Sequence, residues 1–292
     1  MPYLSLIFAL IFFSACSDTQ SMQMKKTRLD SIDELGQFFE DLNYTSSNWK
    51  SKHNEVPRLN LSEIPETWKT VSETLPVKEK KNIFFRLITP LVLISNEAIL
   101  KERRRLLKEP KDSEWMKKLA LKYRVLRKDD TSLTDEKLEI LKKRVDIIPP
   151  SLALAQAAEE SGWGTSRFAS EGNALFGQWD FSGEGMRPGE QRSELGDYGL
   201  ARFDTPLDAV KAYMLNLNTT SAYTGLRSLR QDLREKDEKV TGWELAKSLD
   251  RYSERGQAYI DGLHDMMSYN KLQPVDYASL SADPTIHLII VR

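Results

Sequence analysis

Two consecutive prolines open an almost unbroken run of small and apolar residues, IPPSLALAQAAEESGWG at positions 148–164, and no other segment so constrains this 292-residue chain. Pro149 and Pro150 fit only at a helix start, where the missing N–H has no intrahelical partner to lose. Leu152, Ala153, Leu154, Ala155, Ala157 and Ala158 are mostly strong helix formers, and their small size permits close packing. Gly162 can take the left-handed conformation that ends a helix. The pattern therefore predicts a largely buried helix of about a dozen residues that closes on two carboxylates, Glu159 and Glu160.

The chemistry follows from where those carboxylates sit. The carbonyl end of a helix carries partial negative charge, which disfavours ionisation of a nearby acid. Apolar surroundings push the same way. A carboxyl kept protonated near neutral pH can act as a general acid. Helix physics does not choose between Glu159 and Glu160, and an isolated Glu-Glu-Ser-Gly fits an ordinary surface helix end with two solvated glutamates equally.

The residues downstream narrow this. The stretch AQAAEESGWGTSRFASEGNALFGQW is similar to the signature of the bacterial N-acetylglucosaminidase family, glycoside hydrolase family 73, which includes the flagellar muramidases. Ala155 to Gly164 matches its first block and Asn173-Ala174-Leu175-Phe176-Gly177 its second. FDTPLDAVKAYMLNLNTTSAY and RYSERGQAYIDGL resemble its last two blocks. The resemblance covers residues 146–271, and the whole chain looks most like periplasmic members that carry an extra helical N-terminal region.

This resemblance implies an α+β, mainly α fold, a lysozyme-like catalytic domain with a small β lobe. It implies cleavage of β-1,4 bonds between N-acetylglucosamine and N-acetylmuramic acid, with no cofactor, on peptidoglycan glycan strands. The family's acid is the glutamate immediately before Ser-Gly-Trp-Gly, which is Glu160. Asn173, Phe176 and Gly177 fall where the family shapes the floor of the groove. Glycosidase chemistry normally uses a second carboxylate. The family register favours Glu190 in the glycine-rich stretch 177–204, with Glu194 as the alternative, and the substrate's own N-acetyl group could take that role instead. Tyr252 matches a tyrosine implicated in the active site, and Tyr223 another recurrent one. Trp163, Trp179 and Phe181 are candidates for sugar stacking, with contact favoured for Trp179 and the core for Trp163. Asn216 and Asn218 could bind an acetamido group or cap a helix. A lytic transglycosylase using a single glutamate, and a wall-binding protein with a degenerate site, remain the rival readings.

The N-terminus suggests export. Residues 1–16, MPYLSLIFALIFFSAC, hold an apolar run too short for a bilayer span, which needs about 20 residues. It reads as a signal peptide, and Phe13-Ser14-Ala15-Cys16 is similar to the bacterial lipobox, although the segment before it has no Lys or Arg. Cys16 is the single cysteine, which excludes an intramolecular disulfide. Lipidation at Cys16 gives a periplasmic, membrane-anchored protein, with the outer membrane favoured by Ser17; simple secretion or a retained anchor is the alternative. Residues 17–30 are expected to be a flexible tether, 31–145 a helical N-terminal region, 146–271 the catalytic domain and 272–292 a tail that adds at most an edge strand. The apolar stretch 84–94 is expected to be a buried helix containing Pro90.

Inventory excludes much else. The net charge is −1, so no overall basic surplus points to nucleic acid. His53, His264 and His287 lack metal-ligand spacing. No nucleophile elbow, P-loop or dinucleotide fingerprint is present. The expected state is a monomer.

Overall fold

A computed structural model describes residues 25–45, 47–51, 54–130, 132–189 and 198–291. The expected signal segment, Cys16, Glu190 and Glu194 lie outside them. The elements run β1 (Lys25–Leu29), α1 (Ile32–Asp41), β2 (Glu55–Val56), β3 (Leu59–Leu61), α2 (Trp68–Thr74), α3 (Val77–Leu106), α4 (Glu114–Lys122), α5 (Asp135–Arg144), α6 (Pro150–Ser161) and α7 (Arg167–Gly172). They continue with β4 (Trp179–Asp180), β5 (Gly199–Leu200), α8 (Pro206–Thr219), α9 (Thr224–Glu235), α10 (Gly242–Ala246), α11 (Gln257–Tyr269), β6 (Ser279–Leu280) and β7 (Ile286–Ile290). The protein is mainly α with small sheets, as the sequence predicts.

Helix α6 forms as its sequence dictates. It starts at Pro150, and Gly162 closes it in the left-handed region at φ 57°. Every residue from Pro150 to Ala158 is buried. Helices α3, α10 and α11 pack around it, and its alanines let them approach closely. The Ser161 hydroxyl donates to the Ala157 carbonyl and accepts from the Gly164 N–H at 2.8 Å, which fixes the turn after the helix.

Helix α3 is a 30-residue helix with Pro90 inside it, longer than the stretch 84–94 suggests. It is long and apolar enough to cross a bilayer, yet its most apolar stretch is largely buried within the protein. It packs against α6, α8 and β3, so it is the core helix that joins the N-terminal region to the rest. One continuous hydrophobic cluster runs from Leu29 and Leu35 through Phe85, Leu152 and Tyr213 to Ile290. Asp146, between α5 and α6, draws the same parts together. It pairs with Arg234 at 3.0 Å and lies 3.8 and 3.9 Å from Arg103 and Arg230.

Both ends of the described chain depart from expectation. Residues 25–29, expected in the tether, form β1. The expected edge strand is β7, and it is central: the sheet order is β1-β7-β3, both pairings parallel. Ile286, Leu288 and Ile290 of β7 point inward at alternate positions, the period-two signature of a half-buried strand. The expected helical N-terminal region thus supplies strands as well. The segment after α11 also reaches α6. Helix α6 has no side-chain cap of its own. Asp276 supplies one from a distance, accepting from the Ser151 N–H and hydroxyl, both at 2.8 Å, and from the Gly242 N–H at 2.9 Å.

Candidate active site

Helix α6 delivers Glu160 to the floor of a cleft of about 740 Å³. Gln156 lies one turn earlier, on the same face. The Tyr213 hydroxyl donates to Gln156 Oε1 at 2.6 Å, and Gln156 Nε2 donates to the Tyr259 hydroxyl at 3.0 Å. The Tyr259 hydroxyl in turn donates to Glu160 Oε1 at 2.9 Å. This buried chain leaves Glu160 Oε2 on the side of Gly177, where an added Cβ would sit 3.4 Å away.

Burial raises the Glu160 carboxyl above the ordinary glutamate value. The Tyr259 hydrogen bond opposes that rise, the neighbouring Glu159 adds to it and Arg255 opposes it. Desolvation leads because the aromatic wall is nearly continuous. Tyr252 stacks on Tyr259 at 5.3 Å and 6°, Tyr223 lies 5.8 Å from Tyr252, and Phe176 stacks on Tyr213 at 3.9 Å and 9°. A carboxyl held this way retains its proton to higher pH than a solvated glutamate does, which is what a general acid needs.

Glu159 has a different fate. It is exposed and pairs with Arg255 at 2.9 Å. Two adjacent glutamates therefore occupy opposite environments, and only Glu160 lines the cleft.

The expected site residues mostly converge. Phe176, Gly177, Trp179, Tyr223 and Tyr252 line the cleft with Glu160, as do Phe181 and Asn216. Trp179 is 52% exposed and Phe181 69%, and their rings stack at 6.1 Å and 14°, an open apolar platform at the cleft edge. Trp163 does not line the cleft: it is half-buried and packs against the core, edge-on to Phe84 and Phe85 and under the Lys81 ammonium. Asn173 does not line the cleft. It adopts φ 53° at the end of α7, accepts from the Ile64 N–H and donates to the Phe203 and Asp204 carbonyls, so its amide is spent on backbone. Asn218 is likewise committed, to the Asp146 carbonyl and to Arg230.

Residues the sequence did not single out also enter the site. Tyr259 and Gln156 hold Glu160, and Arg255 separates Glu159 from it. Glu254 and Arg124 line the cleft. Tyr259, Arg255 and Glu254 lie in the RYSERGQAYIDGL stretch whose family resemblance was visible. Nothing in the sequence marks Arg124. Among the described residues no group of three or more His, Cys, Asp or Glu could hold a metal ion.

Comparison with known proteins gives the chain its relatives. The glucosaminidase family, described as mannosyl-glycoprotein endo-beta-N-acetylglucosaminidase, matches residues 136–279. Protein bax of Escherichia coli (strain K12) is 33% identical over 218 residues, covering 72% of this chain and 75% of its own length. The catalytic domain of the autolysin Auto from Listeria monocytogenes aligns over 60% of this chain and 96% of its own, at 16% identity and a TM-score of 0.33. With a family match that contains the whole cleft floor and a relative this similar along most of its length, the chain belongs to the glucosaminidase family of glycoside hydrolases.

Proposed function

We propose that the protein is an endo-β-N-acetylglucosaminidase that cleaves the β-1,4 bond between N-acetylglucosamine and N-acetylmuramic acid in peptidoglycan, with Glu160 as general acid. The observation that carries this reading is the setting of Glu160. It is the one carboxyl of the α6 end that faces the cleft, it is desolvated, and its Oε1 is fixed by Tyr259. The proton leaves Glu160 for the glycosidic oxygen as that bond breaks. The charge that develops at the anomeric carbon needs a second group, for which Glu190, then Glu194, is the assignment, with the substrate's N-acetyl group as the other route. The exposed Trp179–Phe181 platform supports sugar stacking at one end of the cleft. Cys16 is the proposed lipid anchor that holds the enzyme at the membrane facing the periplasm.

Digestion of purified sacculi tests this. The parent protein should release fragments with reducing N-acetylglucosamine ends by mass spectrometry. Glu160→Gln should lose activity by roughly 10²–10⁴-fold with an unchanged circular dichroism spectrum. Full activity in that variant ends the assignment, and 1,6-anhydro products replace the hydrolase with a transglycosylase. Glu190→Gln run beside it tests the second acid. Metabolic labelling with a fatty acid, with and without Cys16→Ser, tests the anchor.

A further inference from the structure

We infer that Arg124, from the N-terminal region, forms a carboxylate-binding subsite of the cleft. The inference rests on the peptidoglycan reading above and deepens it. Arg124 lines the same cleft as Glu160, yet it stands outside the span 136–279 that the family match covers. The subsite is therefore an addition to the glucosaminidase unit, brought by the segment packed in front of it.

The backbone there is built to hold this side chain in place. Arg124 follows the end of α4 in the left-handed region at φ 56°. A residue with a Cβ pays roughly 1–2 kcal/mol for that conformation, which suits glycine or asparagine better. Its neighbours fix the turn. Tyr123 and Leu126 are 1% and 4% exposed, and the Val125 and Leu126 N–H groups both donate to the Ala120 carbonyl. From α5, the Arg144 guanidinium donates to the Tyr123 and Arg124 carbonyls at 2.8 and 2.7 Å. The segment is clamped, and the side chain of Arg124 is exposed to the cleft. Among the described residues no ion pair engages its guanidinium.

The same left-handed stop closes α1, α9 and α11 at Asn43, Asp237 and Lys271, so the turn itself is structural; at Arg124 it sets a guanidinium, unpaired among the described residues, at the cleft. A guanidinium is matched to a carboxylate, which it can bind through two parallel hydrogen bonds. N-acetylglucosamine carries no charge. The alternating muramic acid carries a lactyl group, which ends either in a free carboxylate or in a peptide with carboxylates of its own. Arg124 would thus distinguish this polymer from neutral N-acetylglucosamine polymers and set the register of the strand over Glu160.

Binding of three glycans to the full chain tests the subsite, with Glu160→Gln as background so that no ligand is cut. The three are peptide-free strands with lactyl carboxylates, muropeptide-bearing strands, and neutral N-acetylglucosamine oligomers. Adding Arg124→Gln should weaken binding to carboxylated strands by roughly fivefold and leave the neutral oligomers within twofold. Arg124→Lys should recover part of the loss. Loss on peptide-free strands alone assigns the lactyl group, and loss on the muropeptide strands alone assigns the peptide. An equal loss on all three glycans, or none on either carboxylated strand, overturns the subsite. Sacculus digestion by the parent is run alongside: an inactive parent overturns the peptidoglycan reading, whereas an active parent with unaltered Arg124→Gln binding overturns only the subsite.

Discussion

The Tyr259 hydroxyl donates to Glu160 Oε1 at 2.9 Å across 99 positions of sequence, and it is itself held by Gln156 from the helix that carries Glu160. The phenol does two things at once. It orients the carboxyl, and it stabilises the ionised form against the desolvation that raises its pKa.

Removing that hydroxyl separates the two effects. In Tyr259→Phe the carboxyl loses a donor that favours its charged form, so its pKa should rise further. A general acid works only while protonated, so activity falls as pH climbs through that pKa. The alkaline limb of the kcat–pH profile should therefore move to higher pH, while kcat at the optimum falls by up to about a hundredfold through lost positioning. A limb that stays in place, or moves to lower pH, contradicts the geometry.

The Glu159–Arg255 pair offers the opposite sign from the same site. Glu159 raises the Glu160 carboxyl and Arg255 lowers it. Glu159→Gln removes the first and frees the second, and both changes lower the pKa. The alkaline limb should move to lower pH with kcat otherwise within about tenfold of the parent. Arg255→Gln should move it to higher pH. Opposite displacements in one series of pH profiles identify Glu160 as the titrating acid, and parallel displacements exclude it.

How much of this could be seen in the sequence depends on distance along the chain. Helix α6 was legible because its start, its stop and its apolar run are all local. Glu160 was separated from Glu159 only by family register. The physical reason for the choice, the ion pair with Arg255, spans 96 positions. Tyr259 was illegible for the same reason: a tyrosine in a resembling block does not announce which carboxyl it will meet. Asn173 is ambiguous in sequence because an αL asparagine after a short helix can serve a ligand or the backbone, and here the backbone takes both ends of its amide. The sheet shows the limit most clearly. IHLII reads as a strand from its alternation, but its partners lie more than 220 positions away at Lys25–Leu29 and Leu59–Leu61. The first of these, KKTRL, is too polar to signal that it is paired.

Gly177 tests how closely the cleft floor fits the acid. Its φ is 57°, and an added methyl would stand 3.4 Å from Glu160 Oε2. Gly177→Ala should cost about 1 kcal/mol of stability from the left-handed backbone alone. It should also lower kcat/KM, because the methyl comes into van der Waals contact with the oxygen that Tyr259 leaves unengaged and occupies space beside it that a substrate would use. Chemical denaturation measures the first and sacculus digestion the second. Unchanged activity at reduced stability would show that substrate does not approach Glu160 Oε2 past Gly177.

The segment beyond α11 should prove indispensable to the catalytic helix. Asp276 accepts three hydrogen bonds, two from Ser151 in the first turn of α6 and one from Gly242 at the start of α10. It is 7% exposed, so water cannot replace it freely. Burial raises its carboxyl above the ordinary aspartate value, and the Gly242 donor and the Ser151 donors at the positive end of the α6 dipole oppose that rise. Asp276→Ala leaves those buried donors without an acceptor, a loss on the order of 2–4 kcal/mol. Asp276→Asn keeps the shape and part of the acceptor capacity, and should fall between. Urea denaturation of the full chain gives both values. If Asp276→Ala is as stable as the parent, the start of α6 does not depend on this cap, and the proposed tie between the C-terminal segment and the helix that ends in Glu160 is wrong.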